Sequence, residues 1–429
     1  MSQIRIGYAG MTHLGIVSAL AAAERGFPVS GYDPDASRIA ALDAGVLPVV
    51  EPDLPELLAR RRDRVAFSAD PASLADCDVV IIAADVPTDD AGGSDLSGIE
   101  QLLATCRARA HAGATLVVLS QVPPGFTRSH RSKSRALYYQ VETLIFGRAV
   151  ERALHPERFI VGCEDPARPL PPAYQELLAS FGCPVLPMRY ESAELAKIAI
   201  NLCLVASIST ANTLAELCEV IGADWSEIAA ALRLDRRIGE HAYLAPGLGI
   251  AGGNLERDLA TVRLLAAEAG TDAGVIAAQL RNSQRRRDWA LRVLHDEVLG
   301  HSPDPCVAVL GLAYKIDTAS TKNSPALSLI ENLAMASVRV YDPVVDASAA
   351  PHRWVVPCAS ALECCEGADA VVVMTPWREF ASLRPADLAA RLRRRSAIDP
   401  FCALPAASFA DAGFDYFTLG APPRRARTR

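Results

Sequence analysis

An excess of positive charge is missing from this chain: Lys and Arg total 43 against 50 Asp and Glu, a formal net charge of -7. No overall basic field is therefore available to hold nucleic acid or an anionic lipid surface, although local basic sites stay open. The 11 cysteines form no CxxC pair and have no nearby histidine set. That argues against a zinc site, and their odd number and scatter argue against a disulfide frame. They read as reduced core thiols, the adjacent Cys364 and Cys365 as buried or partly exposed ones, and no metal is expected. The start, Met1-Ser-Gln-Ile-Arg-Ile-Gly7, lacks the basic residues, apolar stretch and cleavage site of a secretory signal. No apolar run reads as long enough to cross a membrane, since even residues 195–208 are interrupted by Lys197 and Asn201. The expectation is a cytoplasmic protein with no nucleic-acid partner and no membrane insertion.

What is present is length and apolar content. With 429 residues, 50% hydrophobic and 22% charged, the chain has ample material for two or three well-packed domains and little room for disorder. Ile4-Arg-Ile-Gly-Tyr-Ala9 reads as a strand, residues 14–23 as an alanine-rich helix and residues 28–33 as a second strand, together a βαβ unit. Asp78-Val-Val-Ile-Ile-Ala-Ala84 and Ala114-Thr-Leu-Val-Val-Leu-Ser120 are built on apolar runs, as strands buried on both faces of a parallel sheet are. A similar alternation returns at 306–313, 338–342, 369–374 and 397–399. Between the two, residues 191–221 read as one long helix and nothing in 190–300 has a convincing period of two. The fold expected is α/β: two Rossmann-like doubly wound domains, residues 1–190 and 301–429, joined by a central helical region at 191–300. Residues 422–429 read as a frayed, solvated basic terminus.

The first strand leads into Gly10-Met-Thr12-His-Leu14-Gly15, a GxGxxG fingerprint with Thr12 in place of the middle glycine. The first glycine makes the tight turn, the middle one admits the pyrophosphate, and the last lets helix pack on strand. A purely structural turn has the same glycines. Asp33, closing the second strand, favours NAD: it can accept from the ribose hydroxyls and repels the 2′-phosphate of NADP. Arg38 is either a phosphate ligand or a surface residue.

Ordered blocks along the chain carry a further resemblance. Glu51-Pro-Asp-Leu, Ser120-Gln-Val-Pro-Pro-Gly and Glu142-Thr-Leu-Ile-Phe-Gly-Arg-Ala-Val precede Glu194-Leu-Ala-Lys197-Ile-Ala-Ile-Asn201. Then come Asn212-Thr-Leu-Ala-Glu-Leu-Cys-Glu219, Asp235-Arg-Arg237, Gly249-Ile-Ala-Gly252-Gly253-Asn254-Leu-Glu-Arg-Asp258, Gly311-Leu-Ala-Tyr-Lys315 and Tyr341-Asp-Pro343. From residue 4 to about 399 the chain resembles the UDP-glucose/GDP-mannose dehydrogenase family. Its members use NAD to oxidise the C6 alcohol of a nucleotide sugar twice, giving an acid.

The resemblance implies roles. Lys197 resembles the lysine that stabilises negative charge on the sugar oxygen, with Asn201 beside it at i+4; Asp258 matches the carboxylate that, with a water, takes the alcohol proton. Read alone, Lys197 could be a solvated helix charge and Asn201 a helix–helix hydrogen bond. Glu142 matches a glutamate of the hydrolytic steps or is a surface carboxylate, while a second family glutamate is Phe146 here. Lys315 resembles a pyrophosphate contact, and Lys322 stands where arginine is common, losing the two-pronged fork. Arg237 resembles an arginine that reaches a partner subunit's site, which implies a homodimer through the central helix; an ordinary surface arginine is the alternative. Gly249, Gly252 and Gly253 belong to the substrate loop.

The loop departs from the family's GFGGSCFPKD where the chemistry lies, with Asn254 at the cysteine position. The thiol attacks the aldehyde so that a second hydride can leave and water can release the acid. An amide can donate a hydrogen bond but cannot form that covalent bond. Cys203 and Cys218, on the central helix, read as core residues rather than substitutes. The expected function is an NAD-dependent oxidation of a nucleotide sugar that stops at a carbonyl, within polysaccharide or glycoconjugate biosynthesis. The alternative is a non-catalytic, regulatory nucleotide-sugar-binding paralogue.

Overall fold

A computed structural model describes residues 3–87 and 93–426. The chain forms two compact units, Met1–Ile200 and Asn201–Arg429. The first is built on eight strands: β1 (Ile6–Ala9), β2 (Val29–Tyr32), β3 (Val65–Ser68), β4 (Val79–Ile82), β5 (Thr115–Val118), β6 (Leu137–Gln140), β7 (Phe159–Cys163) and β8 (Val185–Arg189). Their order is β3-β2-β1-β4-β5-β6-β7-β8. Pairing is parallel except between β6 and β7. The order reverses direction between β1 and β4, so the crevice beyond their carboxyl ends is the expected ligand position. β1, β4 and β5 are wholly buried, which is why their sequences are apolar apart from Thr115.

The second unit contains β9 (Cys306–Leu310), β10 (Ser337–Tyr341), β11 (Val355–Pro357), β12 (Ala370–Val373), β13 (Ser396–Ile398) and β14 (Asp415–Phe417). All are parallel, in the order β11-β10-β9-β12-β13-β14. The two sheets repeat one another down to single hydrogen bonds. Gly10 (φ 99°) and Gly311 (φ 94°) make the same turn after the first strand of each sheet. Their amides donate to Tyr32 O and Tyr341 O, each at 2.8 Å. The next amide, of Met11 or Leu312, donates to Oδ2 of Asp33 or Asp342, 2.6 Å in both.

Six helices matter for function. α1 (His13–Glu24) packs on the first sheet, and α2 (Tyr190–Ile221) carries the boundary between the units. α3 (Trp225–Leu234), α4 (Asn254–Ala269), α5 (Gly274–Arg287) and α6 (Trp289–Glu297) complete the helical stretch. No Gly or Pro interrupts the 32 residues of α2, and Gly222 follows its end with φ 87°. Leu202 and Val205 on α2 pack with Ile250, Leu259 on α4 and Ile276 on α5.

Three expectations need correction. α2 is long and apolar enough to cross a membrane by length and composition, because Lys197 and Asn201 are too few to interrupt so extended a run. Of its most apolar 18-residue stretch, 28% is buried. Cys203 is exposed, not core, because apolar content alone does not tell which side of a helix is covered; Cys218 is buried. The basic terminus is tied down as far as it is described: Arg424 bridges Tyr416, Arg425 pairs with Glu297 at 2.6 Å, and Ala426 N donates to Asp415. Residues 427–429 lie outside the described part. All 11 cysteines are free, Cys364 and Cys365 both buried.

Candidate functional site

The coenzyme turn follows from two glycines and an aspartate. A Cβ at Gly10 would meet Ala84 at 2.6 Å, and one at Gly15 would stand 1.7 Å from Gly10 O, so neither position tolerates a side chain. Thr12 precedes α1, and its Oγ1 accepts from Asp85 N at 2.8 Å rather than capping the helix. Asp33 is buried; besides Met11 N it accepts from Asp35 N at 2.9 Å and from Arg38 Nη1 at 2.8 Å. Arg38 is thus paired with the carboxylate that the sequence placed beside it. Leu14 lines a small cavity shared with Glu142.

In the same unit, Lys197 Nζ lies 3.0 Å from Oε2 of Glu142, with both side chains largely buried. The other Glu142 oxygen accepts from Leu144 N. One turn before Lys197, buried Glu194 accepts from Gly125 N at 2.6 Å and Thr127 N at 2.8 Å. Burial raises its carboxyl above the usual range despite those bonds. In the second unit, Asn201 Nδ2 donates to Oδ2 of buried Asp258 at 2.6 Å, and Arg257 Nε lies 3.3 Å from Oδ1.

The glycine loop belongs wholly to the second unit. Ile250 N donates to Ser283 Oγ at 2.8 Å, and a side chain at Gly249 would strike Ser283 O. Gly252 N donates to Lys322 O at 3.1 Å, Gly252 faces Tyr314, and Gly253 faces the Lys322 side chain. Asn254 opens α4, and Lys315 Nζ stands 5.6 Å from the Tyr314 ring. Arg237 stands apart: its side chain is 89% exposed and folds onto Asp235 at 2.6 Å.

Comparison with known proteins follows this layout. Three descriptions of one family match in order: its NAD binding domain over residues 4–180, its central domain over 191–284, and its UDP binding domain over 308–405. A UDP-glucose 6-dehydrogenase of Pseudomonas aeruginosa is 30% identical over 98% of this chain and 98% of its own. The chain belongs to the UDP-glucose/GDP-mannose dehydrogenase family. UDP-glucose 6-dehydrogenase TuaD of Bacillus subtilis is 29% identical over 98% of this chain and 94% of its own. The structure is also similar to UDP-D-ManNAc dehydrogenase from Pyrococcus horikoshii, with TM-score 0.82 and 26% identity over 97% of this chain and 99% of that one.

NAD is the cofactor of this family's first domain, and the residues present fit it. The Gly10 and Gly15 positions leave a turn with no side chain against Ala84 or Gly10 O, at the amino end of α1. The amino end of a helix has amides without intrahelical partners, which suits a pyrophosphate, and Asp33, just after β2, is bonded to this turn through Met11 N. Three site neighbours escaped sequence reasoning: His13, Glu51 and Arg257. Their only signal was polarity, His13 inside the fingerprint and Arg257 next to Asp258, and their partners are distant or local contacts that spacing does not reveal.

Proposed function

We propose that this protein is an NAD-dependent oxidoreductase acting on a CH–OH group of a nucleotide sugar, and that it performs one two-electron oxidation to a carbonyl. Bound NAD supplies the hydride acceptor. Lys197, oriented by Glu142, stabilises negative charge on the reacting oxygen, and Asp258, oriented by Asn201 and Arg257, receives the alcohol proton through a water. The observation that carries the single oxidation is Asn254 at the head of α4, in a loop that keeps Gly249, Gly252 and Asp258 of the family pattern. An amide there can donate to a carbonyl oxygen but cannot hold the aldehyde covalently for a second step. Phe146 supports the same limit, since an aromatic ring stands where the family has an acid for hydrolysis.

In this proposal residues 1–190 bind NAD, 191–300 dimerise and 301–429 bind the nucleotide through Lys315 and Lys322. Gly249, Gly252 and Gly253 shape the sugar loop. Exposed Leu214, Leu217, Val220 and Ile221 on α2 support a homodimer, in which Arg237 turns from Asp235 toward the partner's site. We place the protein in the cytoplasm, in polysaccharide or glycoconjugate assembly.

Stoichiometry tests the proposal: with a panel of nucleotide sugars, one NADH forms per sugar and a hydroxylamine-type reagent traps the product. Two NADH and a carboxylate reject it. Binding of both ligands with no NADH favours a regulatory, non-catalytic protein instead, which Thr12 and Phe146 would also suit.

A further inference from the structure

Two buried polar residues of the first unit have no part in that chemistry. His13, the first residue of α1, is 6% exposed, and Glu51 is 4% exposed. His13 Nε2 lies 3.1 Å from Glu51 Oε2. The same oxygen accepts from Gly147 N at 3.1 Å, and Oε1 accepts from Ala149 N at 2.8 Å. Phe146, immediately before Gly147, lays its ring on the His13 imidazole, with centroids 4.4 Å apart and planes 11° from parallel.

A buried carboxylate is tolerated when its lone pairs are taken, and here an imidazole and two amides take them. Removing any one leaves the others facing an undersatisfied charge, so the three partners hold one another in place. The result is a continuous path. It runs from the turn at residues 10–15, through His13 and Glu51, to the backbone of Gly147 and Ala149, and along that segment to Glu142, which holds Lys197 at 3.0 Å. Phe146, 44% exposed, covers one face of the imidazole.

We propose that His13 and Glu51 are positioning residues that couple the coenzyme turn to the segment 142–149, so that NAD binding orders the Glu142–Lys197 pair. The inference rests on the coenzyme role of the first unit and on the role proposed for Lys197. A ligand that fixes the first turn of α1 lowers the entropy lost in ordering whatever α1 is bonded to, and the coupling is reciprocal. His13 lies on the turn itself and reaches the segment through Glu51 and through the stacked Phe146 ring.

Amide hydrogen exchange of the full chain, with NAD affinity measured in parallel by calorimetry, tests this. In the native protein, saturating NAD slows exchange at Gly147 and Ala149 by about ten-fold or more. His13→Leu, similar in bulk but without a donor, binds NAD and shows less than about three-fold slowing. His13→Gln, whose amide can donate to Glu51, restores most of the effect. Should His13→Leu not fold, Phe146→Leu removes the stacked ring at a partly exposed position and lowers the slowing in the same direction. NAD binding to the native chain without slowing at either amide overturns the inference alone, as does a His13→Leu protein with native slowing. Failure of the native chain to bind NAD overturns the coenzyme role as well.

Discussion

Asp33 does two jobs that pull in one direction. Its Oδ2 accepts from Met11 N and from Arg38 Nη1, so the carboxylate shapes the turn and also occupies the cation that could have received a 2′-phosphate. NAD is expected to bind more tightly than NADP. Asp33→Ser releases Arg38 and is expected to shift the NADP/NAD affinity ratio toward NADP by about ten-fold or more. Calorimetry showing no shift would reject Arg38 as the latent phosphate ligand. Thr12 has opposing effects: its Oγ1 bonds Asp85 N, while its β-branched bulk stands where the family's glycine leaves space. Thr12→Gly should tighten NAD binding yet cost about 1 kcal/mol of stability for the lost bond. A variant that binds no tighter shows that the threonine does not obstruct the pyrophosphate.

The C-terminal turn of α2 is fastened by one carboxylate. Glu219 Oε1 accepts from Arg286 Nη2 on α5 at 2.7 Å and from Gly420 N at 3.0 Å, and Oε2 accepts from the Trp289 indole on α6 at 2.9 Å. Arg286 is fully buried, with Glu216 as its second and looser partner at 3.7 Å. Glu219→Ala strands that guanidinium and is expected to cost about 3–5 kcal/mol in urea unfolding. A loss under about 1 kcal/mol would mean that Glu216 takes over the charge. Beside the second sheet, the neighbouring Cys364 thiol lowers the Cys358 thiol to about 7, whereas burial pushes Cys365 up to about 12. Peptide mapping after iodoacetamide should find Cys358 labelled first of that cluster, at a rate half-maximal near pH 7 that levels off about one unit higher. A rate still climbing at pH 9 rejects the lowered thiol.

Over the whole molecule one βαβ solution is used twice, with Asp33 and Asp342 at matching places. For Asp342, burial raises the carboxyl, but the amides of Val345, Leu312, Val344 and Ala313 outweigh it and hold it below the usual range. Its contribution is therefore present above the ordinary aspartate pKa and is lost as pH falls through the lower folded value. Asp342→Asn should destabilise most near neutrality, and the gap from the native protein should close in acid. A gap constant with pH assigns the loss to geometry rather than charge. The open apolar side of α2 belongs to the same scale: light scattering is expected to find a dimer, and an active monomer would remove Arg237 from the site.

Much of this architecture was legible without coordinates. Buried parallel strands such as β1, β4, β9 and β12 are apolar throughout because both faces are covered, and α2 declares itself by 32 residues without Gly or Pro. β8 was not legible, since it is largely exposed and contains Pro187, and β11 and β14 have three residues each. The order of the family's blocks was likewise a matter of sequence, because three family domains match the chain in that order. Tertiary structure decided which charges are partners. Glu142 meets Lys197, Asn201 meets Asp258 and Glu51 meets His13 across separations of 55, 57 and 38 residues. Local pattern is set by the periodicity with which a segment buries one face, whereas the pairing of distant polar groups depends on how completed elements pack and remove water from between them.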